Sequence, residues 1–253
     1  MPDPGDTGVY AYGIVPAVGS SLPGDLQGMD GHGVELVTAG RLGAVVTSIA
    51  LPRPPGRRRD LLSHSEVLTT IASDLDVVPL RFGTVFPDAD AFAQELLMDR
   101  AQFLTDLLDR VAGAVQLNLR ASYVEARVLA DVVSGSRDIR RLRERTKHLP
   151  EGMPHPDALR LGQLVSNALG GLRHDDSGLI AARVLPYVRD SRVRERATPD
   201  HVLDVALLVD RTRVPVLEAE LEDLADDVHD HIRLQLTGPL APFDFVEEGQ
   251  RWD

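Results

Sequence analysis

The stretch that most restricts the fold of this chain is residues 77–86, which read Val-Val-Pro-Leu-Arg-Phe-Gly-Thr-Val-Phe. Alternation along an extended strand places apolar side chains on both faces, so we expect the protein to cover both faces here. Pro79 donates no ladder hydrogen bond, which favours an edge strand, a strand start or a bulge, and Gly83 indicates a kink. Arg81 keeps its charge, so a buried Arg81 needs carboxylate or carbonyl partners. Two interpretations stay open for Arg81: a structural ion pair, or a contact with a partner or ligand.

The composition argues against several classes of function. The 253 residues carry a formal net charge of −12, which disfavours nucleic-acid binding and docking on anionic membranes, because both need basic surface. The chain has no cysteine, which excludes disulfides, thiolate nucleophiles and cysteine-bound metals. Its start lacks the features of a signal peptide, and no apolar run approaches the roughly 18 residues that span a bilayer. We therefore expect a soluble, cytoplasmic protein.

The first half predicts an α+β domain. Strands are expected at 9–15, 34–38 and 42–49, and the last two form a hairpin that turns at 39–41. Asp60 is expected to cap a helix that runs to Ser73. His64 falls on the apolar face of this helix, so we expect a hydrogen-bonded core residue. A single long helix is expected over 87–112, ended by Gly113.

The second half predicts a modified ferredoxin-like domain. Strands are expected at 114–124, 187–194, 201–209 and 232–236, and helices at 123–133, 137–147, 157–173, 178–185 and 214–230. Without the inserted helices the order is strand, helix, strand, strand, helix, strand, which is typical of a split βαβ fold. We therefore predict an α+β fold of two domains. Residues 1–113 form the N-terminal mixed α/β domain and 114–253 the C-terminal domain, whose tail, 238–253, is a candidate to pack back on the first domain.

The last predicted helix, residues 214–230, combines an apolar stripe with an acidic surface. The stripe repeats at helical spacing, so one face is expected to pack on the sheet. Much of the remainder is carboxylate: Glu218, Glu220, Glu222, Asp223, Asp226, Asp227 and Asp230. Two interpretations stay open, a solvated face or a surface that recognises a basic partner. The candidate partner-binding residues are Glu218, Glu222, Asp223, Asp226 and, from the first stretch, Arg81.

The sequence contains no recognisable catalytic constellation. The glycines within 28–33 are not framed by a strand and a helix, so they do not form a dinucleotide loop, and the only lysine, Lys147, lies in a charged helix. His229 and His231 could join a nearby aspartate at a metal, which leaves a metal-dependent hydrolase as a minor alternative. We predict no catalytic residue, no cofactor and no metal, and a binding or assembly protein rather than an enzyme.

Six segments, in order along nearly the whole chain, resemble signatures of the GvpF/GvpL family of gas vesicle proteins. They are residues 10–15, 37–46, 61–67, 78–86, 207–211 and 236–246, of which 78–86 is the strongest match. From these segments we take five residues as structural motif positions: His64, Phe82, Gly83, Gly238 and Pro239. The final segment is less aromatic than the family pattern around Leu240–Phe243, so its local packing is expected to differ.

The resemblance implies a cytoplasmic, gas vesicle-associated, non-enzymatic accessory protein with two α+β domains, the second a modified ferredoxin-like one. Family members are thought to bind the small hydrophobic shell protein and to help nucleate or assemble the vesicle wall. The implied partners are the shell protein and other accessory proteins, and the motifs do not separate the F and L paralogues. A different class of function stays open as the alternative, namely a small-molecule-sensing regulator built on ferredoxin-like modules.

Overall fold

The first sheet is built around strand β1 (Thr7–Pro16) in the computed structural model, which describes residues 7–51, 56–148, 155–194, 198 and 200–246. On one side β1 pairs antiparallel with β3 (Leu42–Ala50), which pairs in turn with β2 (Glu35–Ala39). On the other side it pairs with two short strands, β4 (Val78–Pro79) and β5 (Val85–Phe86). Gly40 turns the β2–β3 hairpin with φ of 61°, a left-handed conformation that suits glycine, and the predicted hairpin is confirmed.

Alternate residues of β1 enter two separate core clusters, so both faces of the first sheet are covered. Val9, Ala11 and Ile14 join one cluster, which contains the leucines of the helices that follow β5. Tyr10 and Tyr12 join the other, which contains the apolar face of helix α1 (Arg58–Asp74). Val9 and Ala11 alternate with Tyr10 and Tyr12, as side chains of a strand do. The register shift between Ala11 and Gly13 then brings Ile14 to the face of Val9 and Ala11.

Residues 77–86 do not form one continuous strand, contrary to the prediction. β4 and β5 flank a loop in which Gly83 has φ of 91° and the Thr84 amide donates to the Arg81 carbonyl (3.2 Å). Up to Leu80 the side chains are buried, but Arg81 and Phe82 are exposed. Within the described ranges the Arg81 side chain forms no hydrogen bond or ion pair. The expectation that both faces are covered therefore fails after Leu80, because the loop turns the chain outward.

The helices of the first half differ from prediction at two points. Asp60 is the third residue of α1 rather than its cap, and its carboxylate accepts from the Arg57 amide at 2.9 Å. The single helix predicted over 87–112 is divided into α2 (Ala89–Phe92), a π-helical segment (Ala93–Met98) and α3 (Ala101–Val111). A π turn inserts one residue, which shifts the helix face. Both parts of the leucine stripe thereby reach the same core cluster.

The second sheet has the strand order β7-β8-β6-β9, and its strands and helices follow one another in the predicted split βαβ order. Its strands are β6 (Ala114–Tyr123), β7 (Asp190–Val193), β8 (His201–Asp210) and β9 (Ile232–Leu240). Helices α4 (Glu125–Gly135), α5 (Arg137–Thr146) and α6 (Pro156–Val184) lie between β6 and β7 in sequence, and α7 (Val214–Val228) lies between β8 and β9. The α+β class is confirmed.

Helix α6 is continuous and runs through Gly170 and Gly171, whereas two helices, 157–173 and 178–185, were predicted. Each glycine weakens a helix interior by about 1 kcal/mol, but tertiary packing overrides that preference. Here α6 packs along α5 and α4.

The chain divides into two compact units. Unit 1 contains Met1–Leu117, Leu208–Arg211 and Thr237–Asp253. Unit 2 contains Asn118–Leu207 and Thr212–Leu236.

Candidate functional site

A groove of about 480 Å³ in unit 2 lies between helix α7 and strand β9. Its apolar lining comes from one residue of β6, two of α7 and two of β9: Leu119, Leu221, Ala225, Leu234 and Leu236. Two exposed carboxylates of α7, Glu218 and Glu222, complete it. The groove thus offers apolar surface with negative charge beside it.

The sequence of α7 explains one wall of this groove. Leu217, Leu221 and Leu224 are buried at helical spacing, which fixes the helix on the sheet. Glu218 and Glu222 are four residues apart and therefore neighbours on one flank of the same helix. This flank lies over the groove.

The alternation of β9 explains the other wall. Ile232 is buried, Arg233 and Gln235 are exposed, and Leu234 and Leu236 are only half-buried. Among the described strands β9 pairs only with β6, so it forms an edge of the second sheet. An edge strand presents unpaired backbone donors and acceptors to which another chain can add.

The opposite flank of α7 is occupied by ion pairs with α6. The Glu220 carboxylate accepts from Arg183 Nε and from the Tyr187 hydroxyl (3.1 Å), and Arg183 Nη1 donates to Asp227 at 3.2 Å. The hydrogen bond from Arg183 lowers the pKa of Glu220, and the hydrogen bond from Tyr187 lowers it further. Desolvation acts in the opposite direction but is weaker than the effect of Arg183. Glu220 and Asp227 thus hold two helices together.

The four acidic residues predicted to bind a partner fall into two pairs. All four side chains are exposed, and none forms a hydrogen bond or ion pair with the part of the chain that the structure describes. Glu218 and Glu222 line the groove, whereas Asp223 and Asp226 do not. The structure therefore does not place the four residues at one site, and Arg81 belongs to the other unit.

Sequence reasoning missed the apolar part of the groove. Leu234 and Leu236 alternate with polar residues, which is a usable signal for a half-covered strand. The edge position of β9 depends on the strand order, which the sequence pattern does not specify.

Of the five structural motif residues, His64 is buried in the core of unit 1, whereas Phe82 and Gly83 lie in the exposed loop beside it. The Gly83 amide donates to the Tyr10 hydroxyl (3.1 Å), which lies 2.9 Å from His64 Nδ1. The His64 ring stacks on Tyr12 and meets Phe82 edge-on, with both centroid distances 5.7 Å. Burial lowers the pKa of His64 to about 4, against a weaker opposing effect of the Leu80 carbonyl. His64 is therefore neutral at pH 7.

Gly238 and Pro239 belong to the C-terminal segment, which contacts the end of the first half within unit 1. Gly238 has φ of 145°, and a Cβ there would lie 2.6 Å from Leu117 Cδ2, so glycine is required for this approach. Gln116 and Asp244 exchange two hydrogen bonds, of 2.6 and 3.0 Å. Pro239 is exposed.

Two features of the described residues bear on the alternatives. Within the described ranges no three His, Asp or Glu side chains form a group that could hold a metal ion. Over the same ranges no helix is both long and apolar enough to cross a membrane.

Comparison with known proteins identifies relatives along nearly the whole chain. Residues 8–247 match the model of the gas vesicle synthesis protein GvpL/GvpF family. Gas vesicle protein F of Streptomyces sp. (strain CB03234) is 30% identical over 94% of this chain and 99% of the relative. Gas vesicle protein L2 of Halobacterium salinarum is 24% identical over 95% of this chain and 92% of the relative.

Solved structures agree in fold. The crystal structure of gas vesicle protein GvpF from Anabaena sp. PCC7120 superposes with a TM-score of 0.82 at 20% identity, over 95% of this chain and 98% of the other. GvpF from Microcystis aeruginosa superposes with a TM-score of 0.75 at 19% identity, over 95% and 99%. Because the family model matches almost the entire chain, the protein belongs to the GvpL/GvpF family of gas vesicle proteins.

Proposed function

We propose that this chain is a non-enzymatic accessory protein of gas vesicle assembly that binds the small hydrophobic shell protein through the groove between α7 and β9. Membership of the GvpL/GvpF family supports a role in gas vesicles. The observation that carries the finer proposal is an apolar groove at a sheet edge, flanked by Glu218 and Glu222. Other accessory proteins are proposed as further partners.

The chemistry of the shell protein makes such a groove useful. A protein that forms a gas-facing wall must expose apolar surface, and exposed apolar surface promotes aggregation before assembly. A partner that covers this surface keeps the monomer available for assembly. The net charge of −12 helps to keep the complex soluble.

Two features of the groove favour a short amphipathic segment as the bound element. Leu234 and Leu236 offer apolar contacts on the strand whose backbone edge is open. A peptide that adds to a sheet edge gains main-chain hydrogen bonds, and its alternate side chains reach the pockets beside the strand. A lysine or arginine of the segment would then pair with Glu218 or Glu222 across the groove.

The test is capture of the shell protein during co-production with a tagged form of this chain. We expect Glu218→Arg/Glu222→Arg to weaken capture by about tenfold or more, since two charge contacts become repulsive. The matched control is Asp223→Arg/Asp226→Arg, which makes the same charge change on the same helix outside the groove. Circular dichroism checks that both variants are folded.

Capture by wild type and by the control, with loss only in the groove variant, supports the proposal. Equal loss in both variants would mean that the charge of the helix acts without the groove. If wild type captures no shell protein when the other vesicle proteins are present, the proposal is wrong.

A further inference from the structure

Unit 1 carries an exposed surface that is basic and apolar, whereas the exposed surface of α7 is acidic. This surface of unit 1 is here called the basic–apolar patch. It consists of Arg57, Arg58, Leu61 and Leu62 at the start of α1 with Arg81 and Phe82 of the loop between β4 and β5. The exposed fractions of its apolar side chains are 51% for Leu61, 58% for Leu62 and 38% for Phe82. Large apolar side chains grouped at a surface are typical of interaction sites.

The two segments of the patch lie against each other. The Phe82 ring is so close to Gly56 that a Cβ at Gly56 would lie 2.4 Å from it. Gly56 directly precedes Arg57, and the Phe82 ring also meets His64 of α1 at 5.7 Å between centroids. Phe82 therefore lies beside the start of α1, and Arg81 directly precedes it in the chain.

The positive charge of the patch is not neutralised by the described residues around it. Arg59 is paired, with Asp30 and Asp60 each at 3.5 Å. Arg57, Arg58 and Arg81 form no ion pair within the described ranges. In a chain of net charge −12, such a patch attracts acidic surfaces, including those of identical chains.

The complementary surface is the outer face of α7, away from the groove. Asp223 and Asp226 are exposed there without an ion pair to any described residue. Ala219 and Val216, one and two turns before Asp223, are exposed as well, Val216 to 53%. This face is acidic and partly apolar, as the patch is basic and partly apolar.

We propose that the basic–apolar patch binds the outer face of α7 in a second copy of this chain. The contact joins two different surfaces, so each bound copy leaves one of each free, and repetition gives a ring or a filament. Because charge guides the pairing, the association weakens as salt screens it. It does not depend on shell binding, which uses other residues of α7.

The basic helix α5 is a weaker candidate for the same acidic face. Its apolar residues Ile139 and Leu142 are buried, so it offers mainly charge. Arg145 is already paired with Asp157, and Lys147 with Glu144. Exposed ion pairs alone contribute at most about 1 kcal/mol, which favours the patch that also has apolar surface to bury.

Analytical ultracentrifugation over a concentration series, at about 0.02 M and about 0.5 M salt, tests the proposal. Wild type is expected to associate at low salt and to dissociate at high salt. Arg58→Glu/Arg81→Glu and Asp223→Arg/Asp226→Arg are each expected to weaken association at least tenfold. An equal mixture of these two variants is expected to restore it, because each then meets a complementary surface. Arg140→Glu/Arg141→Glu on α5 is the matched control and is expected to associate like wild type.

A wild-type protein that stays monomeric at low salt overturns the proposal. So does a mixture of the two variants that fails to associate, or an α5 control that loses association to the same degree. If Arg58→Glu/Arg81→Glu abolishes capture of the shell protein while wild type stays monomeric, the patch serves the shell protein instead.

Discussion

Acidification from pH 7 to pH 5 is expected to destabilise unit 1 through His64, whose ring is enclosed by Tyr10, Tyr12 and Phe82. Burial lowers the pKa of His64 from 6.5 to about 4 in the folded protein. Between these values the unfolded chain binds one more proton than the folded chain, so the free energy of unfolding falls as the pH falls. The loss begins near pH 6.5 and is complete below pH 4.

The magnitude follows from the two pKa values. A folded pKa of about 4 against 6.5 corresponds to about 3 kcal/mol at the low-pH limit, and about 2 kcal/mol of this is lost between pH 7 and pH 5. In the protonated ring both nitrogens carry hydrogen, so Nδ1, which lies 2.9 Å from the Tyr10 hydroxyl, can then only donate.

Denaturant unfolding at pH 7, 6 and 5 measures the effect in wild type and in His64→Gln. Since glutamine does not titrate, wild type is expected to lose about 2 kcal/mol more than His64→Gln over this range. Hydrogen exchange of the β1 amides assigns the transition to unit 1, because proteins with several units can unfold in steps. His229→Gln is the control, since the His229 side chain is 70% exposed.

The same pH dependence in wild type and His64→Gln would show that His64 does not carry the loss of stability. So would a His64 pKa near 6.5 measured by NMR in the folded protein. A different result for His229→Gln than for wild type would show that the assay reports histidine removal in general.

Three further predictions concern side chains whose contacts are defined. The first concerns Arg211, which donates to two carbonyls at the end of α1 and to Asp76 (2.7 Å). Arg211→Ala is expected to lower the free energy of unfolding by about 3 kcal/mol, and Arg211→Lys by less, as measured by thermal denaturation. Gly28→Ala is expected to cost about 1–3 kcal/mol, because its Cβ would lie 2.1 Å from the Tyr12 hydroxyl; unchanged stability would contradict this packing. Arg183→Ala is expected to lower the thermal midpoint less than Arg211→Ala, since Arg183 pairs at the surface.

The spacing of apolar residues along the sequence predicted much of the fold correctly. The hairpin of β2 and β3 was read from two alternating runs around Gly40, and α7 from a leucine stripe. Each of these elements buries one face, so apolar residues recur in its sequence at the spacing of a strand or a helix.

The predictions failed where local conformation interrupts a regular pattern. The apolar run 77–86 reads as a strand throughout, but Gly83 adopts a positive φ and the chain leaves the sheet at Arg81. Residues 87–112 likewise read as one helix, but the π-helical segment Ala93–Met98 divides it. Periodicity reports which side chains are buried, and it does not report the turns between them.

The candidate site was only partly visible in the sequence. Composition singled out the carboxylates of α7, but whether each is paired depends on the position of Arg183, in a different helix. The half-buried state of Leu234 and Leu236 depends on β9 lying at the sheet edge. Both are tertiary properties.

Hydrogen exchange of this chain, alone and with the shell protein bound, is the most direct test of the groove as the binding site. Slower exchange is expected for the amides of residues 233–236 in β9 and for α7, because the bound segment covers both walls of the groove. Strand β2, in the first sheet, is expected to exchange equally in both states. A stable complex in which residues 233–236 exchange as fast as in the free chain would show that the shell protein does not bind in this groove.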